Sequence, residues 1–131
     1  MNRDSKGFTL IELVTVIAIL GVLAAMTVPK FFALQVKAKI EVERQIIGTI
    51  RAGLETYGAN QIVFGGNKVY PAANTATLLT DILNPVPDEW SYEVSTGKIT
   101  HTRTDSIITW VYTRPDDDSY NIAARSEIVK P

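Results

Sequence analysis

Residues 13–28 form an apolar run that carries no charge and has polar side chains only at Thr15 and Thr27. Counted from Phe8, the run is about 21 residues, or roughly 31 Å of helix at about 1.5 Å per residue, which matches a bilayer core of about 30 Å. The pattern predicts a membrane-spanning helix over residues 8–29. Beyond Pro29 the periodicity persists in a more polar setting. Val36, Ile40, Ile47, Ile50, Leu54 and Tyr57 follow at spacings of four, seven, three, four and three, while Lys37, Lys39, Glu41, Glu43, Arg44 and Arg51 fill the remaining surface. This predicts an amphipathic continuation of the same helix over residues 30–58, ending between Gly58 and Asn60. Pro29 lacks an amide proton and crowds the carbonyl of Ala25, so with Gly21 it marks a weakened stretch, which neighbouring helices in a membrane can compensate.

The pattern then changes. Residues 61–74 are rich in Gly and Asn, contain a Tyr70-Pro71 step and read as a loop. Residues 75–83 predict a short helix with Asn74 or Thr75 as cap and Leu78, Leu79, Ile82 and Leu83 as its apolar face. Residues 90–94 and 98–102 predict strands joined by a Ser95-Thr96-Gly97 turn. Residues 107–113 and 120–124 add two more, with residues 114–119 as the turn between them. About 70 residues are too few for a large independent core, so the amphipathic helix must supply one wall of it. The expected fold is α+β: a long N-terminal helix, transmembrane and then amphipathic, on a small antiparallel sheet of about four strands, with residues 59–131 as its head.

Within this layout Glu12 is anomalous, because it sets one carboxylate at the head of an apolar run, where an isolated ionised group is expensive. Glu12 therefore asks for a partner. A basic leader before an apolar run is shared by permanent anchors and by cleaved secretory signals. Against ordinary signal cleavage stand Glu12 itself and the mediocre nearest site, Val22-Leu23-Ala24. Charge does not settle orientation, since Arg3 and Lys6 on one side face Lys30, Lys37 and Lys39 on the other.

Gly7 followed by Phe8-Thr9-Leu10-Ile11-Glu12-Leu13, then the apolar run with Gly21 and Pro29, resembles the N-terminus of the type IV pilin superfamily, which includes pilus subunits and the pseudopilins of type II secretion. The resemblance covers about the first 35 residues closely and the rest only in layout. It implies that residues 1–7 are a leader, cut between Gly7 and Phe8 on the cytoplasmic side by a prepilin peptidase that also N-methylates Phe8. Glu12 then pairs with the Phe8 amino group of an adjacent subunit, so subunits dock at one stagger. Gly21 and Pro29 mark a region that partly unwinds in related filaments. The implied partners are further copies of the chain in a homo-oligomeric filament, the membrane, the peptidase/N-methyltransferase and, indirectly, an inner-membrane assembly platform with a cytoplasmic ATPase. The implied location is the bacterial inner membrane before assembly and a periplasmic or extracellular filament afterwards.

Composition fits an exported structural subunit. The chain has 13 basic and 14 acidic residues; removing Arg3, Lys6 and Asp4 leaves 11 and 13, a formal charge of −2. Nothing in this balance demands a polyanionic partner. With no Cys there is no disulfide staple, although an oxidising space would permit one, so the C-terminal segment is expected to be held by packing alone. The single histidine, His101, joins no Ser/His/Asp or Cys/His constellation, and no dinucleotide loop, phosphate loop or zinc spacing occurs; an enzyme is not expected. Asp116, Asp117 and Asp118 are the one candidate hard-metal cluster. By resemblance, major pseudopilins bind calcium in a C-terminal loop, but the residues around this cluster do not reproduce that motif, and an Asp run after Pro is usually a solvated turn. No resident cofactor is expected beyond this calcium candidate.

The sequence commits to a filament subunit of the pilin class. Pro87-Asp88-Glu89-Trp90-Ser91-Tyr92, the short chain and the missing disulfide lean towards the pseudopilin alternative; the incomplete calcium-loop pattern leans away from it. A nucleic-acid or adhesive surface would need a basic or aromatic patch, and Lys98, His101, Arg103 and Arg114 offer only scattered charge. A monomeric membrane-anchored domain is the remaining alternative; it would keep its leader.

Overall fold

A computed structural model describes residues 7–131; residues 1–6, and with them most of the expected leader including Arg3 and Lys6, lie outside the described residues. The elements in chain order are α1 (Leu10–Gly65), α2 (Leu78–Ile82), β1 (Trp90–Glu93), β2 (Lys98–Thr102), β3 (Ser106–Asp116), β4 (Ser119–Ile122) and β5 (Ser126–Val129). The fold is α+β. The chain divides into two compact units, Met1–Arg44 and Gln45–Pro131.

In the first unit α1 is unbroken through Gly21 and Pro29. The two polar interruptions are absorbed by the helix itself. Thr15 Oγ1 donates to Ile11 O (2.8 Å), and Thr27 Oγ1 to Leu23 O (3.1 Å), so neither hydroxyl would enter a bilayer unsatisfied. Large apolar side chains are exposed all round this stretch, from Phe8 to Val36, as expected of a helix whose surroundings are lipid or other helices. A Cβ at Gly21 would meet nothing within 4 Å. Among the described residues of the single chain, nothing crowds that position.

In the second unit the predicted stripe supplies one wall of the core. Ile47, Ile50 and Leu54 are buried with Tyr70, Leu78, Leu79, Leu83, Trp90, Ile99, Ile108, Trp110, Tyr112 and Ile122. The helix continues to Gly65, past the expected stop between Gly58 and Asn60. Gly58 is a packing residue rather than a breaker: a Cβ there would lie 3.1 Å from Tyr70 Cε1 and 3.2 Å from Lys68 Cε. The stop comes at Gly66, whose φ of +77° and N–H bond to Ile62 O (3.0 Å) form a left-handed cap. The short helix is confined to α2, with Thr77 rather than Asn74 or Thr75 at its N-cap.

The sheet is antiparallel, with β3 at its centre. β2 pairs along one edge of β3; β5 and β4 share the other, β5 against Ser106 to Thr109 and β4 against Tyr112 to Asp116. The path β1-β2-β3-β4 is the expected four-stranded one, and β5 is a fifth strand. The predicted Ser95-Thr96-Gly97 turn forms, with Gly97 at φ +66°. The expected turn over residues 114–119 is shorter than predicted, because β3 runs on through Pro115 to Asp116 across a register irregularity. Such an irregularity is where a sheet tolerates proline. The C-terminal segment is held by more than packing: four β3–β5 residue pairs, Lys130 N–H to Asp105 O (3.0 Å) and Lys130 Nζ to Arg103 O tie it down.

Candidate assembly site at the start of the first helix

Gly7, Phe8 and Thr9 precede α1 in irregular backbone. Phe8 is 87% exposed, and a Cβ at Gly7 would meet nothing within 4 Å. The Gly7–Phe8 peptide bond is therefore exposed and non-helical, the state in which a peptidase can seat a chain. Thr9 is the N-cap. Its Oγ1 accepts from the Glu12 N–H (3.3 Å), its N–H and Oγ1 both donate to Glu12 Oε2 (2.8 Å each), and its carbonyl accepts from the Leu13 N–H (3.3 Å). This is a capping box, in which residues three apart satisfy each other's orphan groups. The negative carboxylate also sits at the positive end of the helix dipole, where it is favoured.

The partner that Glu12 asked for is thus present within one turn of its own chain. The signal was in the sequence as Thr9-Leu10-Ile11-Glu12, the T-x-x-E spacing of a capping box, and it was masked by reading Glu12 only as a charge in an apolar run. Both carboxylate bonds from described residues fall on Oε2. A carboxylate has about four acceptor sites, so this cap does not exhaust it. The structure joins Thr9 and Glu12 at the head of the apolar helix, with Phe8 exposed just before them, whereas Gly21 and Pro29 lie two and more turns further on.

The other candidates are dispersed. Asp117 Oδ1 is held by Arg114 Nη1 at 2.9 Å, Asp116 pairs with Ser119 in the β3–β4 ladder, and Asp118 lines an open cleft with Arg51, Glu55, Tyr70 and Tyr120. Among the described residues no three His, Cys, Asp or Glu side chains converge as metal ligands. His101 stacks on Trp90, with ring centroids 4.8 Å apart, and Trp90 stacks in turn on Trp110 at 5.4 Å. Its Nε2 lies 3.6 Å from Glu89 Oε2. Of Lys98, His101, Arg103 and Arg114, Arg103 is buried and Arg114 donates to Tyr70 O (3.0 Å), so the four do not form a presented patch. In the cleft, Glu55 accepts from Lys68 Nζ (3.1 Å) and Tyr70 Oη (2.9 Å), and these bonds hold its carboxyl below the usual range. This cluster fixes the loop after α1 to the helix, a role that sequence reasoning missed.

A helix long and apolar enough to cross a membrane, capped by its own carboxylate at Glu12 and followed by a small antiparallel sheet, has the layout of the pilin class. Comparison with known proteins narrows the class. Residues 2–28 match the prokaryotic N-terminal methylation motif. The chain is 35% identical over 93 residues to type II secretion system core protein G of Pseudomonas aeruginosa, covering 69% of this chain and 61% of that protein. It is 50% identical over 38 residues to the type IV major pilin protein PilA of Myxococcus xanthus, covering 29% of this chain and 17% of that one. With the type IV major fimbrial protein FimA of Dichelobacter nodosus it shares 39% over 56 residues, covering 43% and 36%. The chain thus spans less than two thirds of the length of each of these relatives. No solved structure matches it. The chain belongs to the type IV pilin superfamily.

Proposed function

We propose that the chain is a structural subunit which polymerises into a type IV pilus-like filament once its leader is removed. The observation that carries this reading is the conjunction at the head of α1: an apolar helix exposed all round, begun by an exposed Gly7–Phe8 bond and a carboxylate at Glu12. Hydrolysis of that bond by a prepilin peptidase would add water across it, leaving a carboxylate on Gly7 and an ammonium on Phe8. Transfer of a methyl group from an electrophilic donor to that amine, with loss of a proton, keeps it basic and hence cationic. A cation at a helix N-terminus opposes the dipole, and in a low-dielectric filament core it needs a counter-charge. Glu12 of an adjacent copy supplies one. Attraction between such charges is far stronger there than in water, so the pair sets the axial stagger as well as adding cohesion.

The apolar segments would exchange lipid for one another in the filament core while the sheet heads form its surface. Extraction from the bilayer must be driven from outside the chain, by an inner-membrane platform and a cytoplasmic ATPase. A pseudopilus of type II secretion is the second reading, supported by the similarity to core protein G over 69% of this chain. Both readings place the subunit in the inner membrane first and in a periplasmic or extracellular filament afterwards.

The test is the intact mass and N-terminus of protein recovered from native membranes and sheared filaments, for the wild type and Glu12→Gln. A chain starting at methylated Phe8, with the Glu12→Gln variant processed but depleted at least tenfold from the sedimentable fraction, is the expected result. A chain that retains Met1, or normal filaments from Glu12→Gln, overturns the reading.

A further inference from the structure

Between Glu12 and Glu41 the chain has no acidic residue, and its only charges there are Lys30, Lys37 and Lys39. All three are exposed on α1 within the first unit. The acids that follow are engaged: Glu41 is paired with Arg44 at 3.5 Å, and Glu43 is buried with a partner, as Lys39 too has one. Among the described residues Lys30 and Lys37 enter no ion pair or hydrogen bond. Seven residues apart, they fall within about 20° of two full turns, so both project from one side of the helix, about 10 Å apart along its axis. Leu34 lies between them on that side, 63% exposed, and Phe31 and Phe32 at the same level are each 60% exposed.

This level of the helix coincides with one surface of a bilayer. Lys30 follows Glu12 by 18 residues, about 27 Å of unbroken helix, and Lys37 follows it by 25, about 37 Å. A bilayer has a hydrocarbon core of about 30 Å and a full thickness of about 40–45 Å, hence about 5–8 Å of headgroup on each side. With Glu12 at one edge of the core, Lys30 reaches the other edge and Lys37 the outer limit of the headgroup layer. The two ammonium groups bracket that layer, and a lysine just inside the core edge extends its aliphatic stem outwards to it.

We propose that Lys30 and Lys37 bind anionic phospholipid headgroups in the leaflet opposite Glu12. The inference rests on the membrane-resident stage of the proposed function. Charge and depth together identify the occupant. Two unpaired cations call for an anion, and the anions a bilayer holds at that depth are the phosphates of its lipids. A second copy at the same depth presents the same lysines and no carboxylate, so it repels them. Leu34, Phe31 and Phe32 meanwhile meet the boundary between headgroup and acyl chain, where their apolar surface stays out of water. Each lysine near an anionic surface adds roughly fivefold to the preference for the charged lipid, an effect that fades within a Debye length. Stripping these headgroups from the two lysines is then part of the work of extraction.

The test uses the full-length wild type and two double variants, Lys30→Gln with Lys37→Gln and Lys30→Arg with Lys37→Arg. Both positions are exposed on a helix, and lysine, glutamine and arginine have similar helix propensities, so folding is undisturbed. Each protein is purified from membranes into neutral detergent and mixed with equal amounts of phosphatidylglycerol and phosphatidylcholine. Native mass spectrometry then counts the lipids it retains. The expected result is a preference of the wild type for phosphatidylglycerol of at least about tenfold, kept by the arginine pair and lost by the glutamine pair. No preference in the wild type, or an undiminished one in the glutamine pair, overturns the inference and leaves the filament reading standing. If a glutamine pair with undiminished preference also fails to sediment as filaments, the face is a contact between copies instead. A wild type absent from both carbonate-washed membranes and sheared filaments overturns both readings.

Discussion

Replacing Gly97 by alanine tests the β1–β2 turn on which the head depends. Gly97 sits at φ +66°, and a Cβ there would lie 2.6 Å from the carbonyl oxygen of Tyr112. The left-handed conformation costs an L-residue about 1–2 kcal/mol. The contact is with backbone, so it cannot be relieved by a rotamer change, and moving it would disturb the Tyr112 N–H bond to Gly97 O (2.8 Å). Overpacking of this kind costs about 1–3 kcal/mol. Together the two give roughly 2–5 kcal/mol of lost head stability. At an m-value of about 1.5 kcal/mol per M, that is a fall in the urea midpoint of roughly 1–3 M. The assay is urea titration of the full chain in detergent, read by tryptophan fluorescence. The only two tryptophans, Trp90 and Trp110, are stacked within the head core. Gly97→Asn separates the terms, since asparagine tolerates the left-handed region but still carries a Cβ; its midpoint falls about half as far. A Gly97→Ala midpoint within about 0.3 M of wild type, at the same m-value, would refute the reasoning.

Two further substitutions probe the core by the same titration. A Cβ at Gly53 would lie 2.2 Å from Ile82 Cγ2. Gly53→Ala therefore loses about 1–3 kcal/mol, and Ile82→Ala in the same chain is expected to make the alanine at position 53 nearly neutral; additive losses would exclude the contact. Tyr112 Oη donates to Pro71 O (2.7 Å), so Tyr112→Phe leaves a buried carbonyl unpaired at a cost of about 1–3 kcal/mol. Burial first, and then the neighbouring Tyr92, pushes the Tyr112 phenol up to about 12. The folded head thus holds this proton more tightly than the unfolded chain, whose tyrosines titrate near about 10. Its contribution is complete below that value and is lost as pH rises from about 10 through about 12. The urea midpoint should fall over this window in the wild type and fall less steeply in Tyr112→Phe; identical slopes would remove Tyr112 as a source.

The helix, the stripe Ile47, Ile50 and Leu54, and four of the strands were legible because burial imposes a period on sequence, 3.6 in the helix and 2 in the sheet. Such periodicity is silent about glycine that serves packing. Gly58 read as a helix breaker although Tyr70 and Lys68 approach it, and Gly53 gave no hint of Ile82. β5 was missed for a related reason. All four of its residues are exposed, so it carries no inside–outside alternation, and it exists through backbone pairing to β3. At the head of α1, Glu12 stood out as a charge in an apolar run, while Thr9 was overlooked because its role is local geometry rather than charge.

The capping box also bears on the order of events at the membrane. Every atom of it belongs to Thr9 or Glu12, downstream of the Gly7–Phe8 bond. Under the proposed processing, cutting that bond would remove none of the atoms that cap the first turn. What the proposed cut would change is charge: a neutral amide would become a cation four residues from a carboxylate already held by Thr9. Under the proposed function, the precursor would have Glu12 held by its own turn with no ammonium at Phe8 to draw in a neighbour, and maturation would switch on that attraction with these bonds already formed.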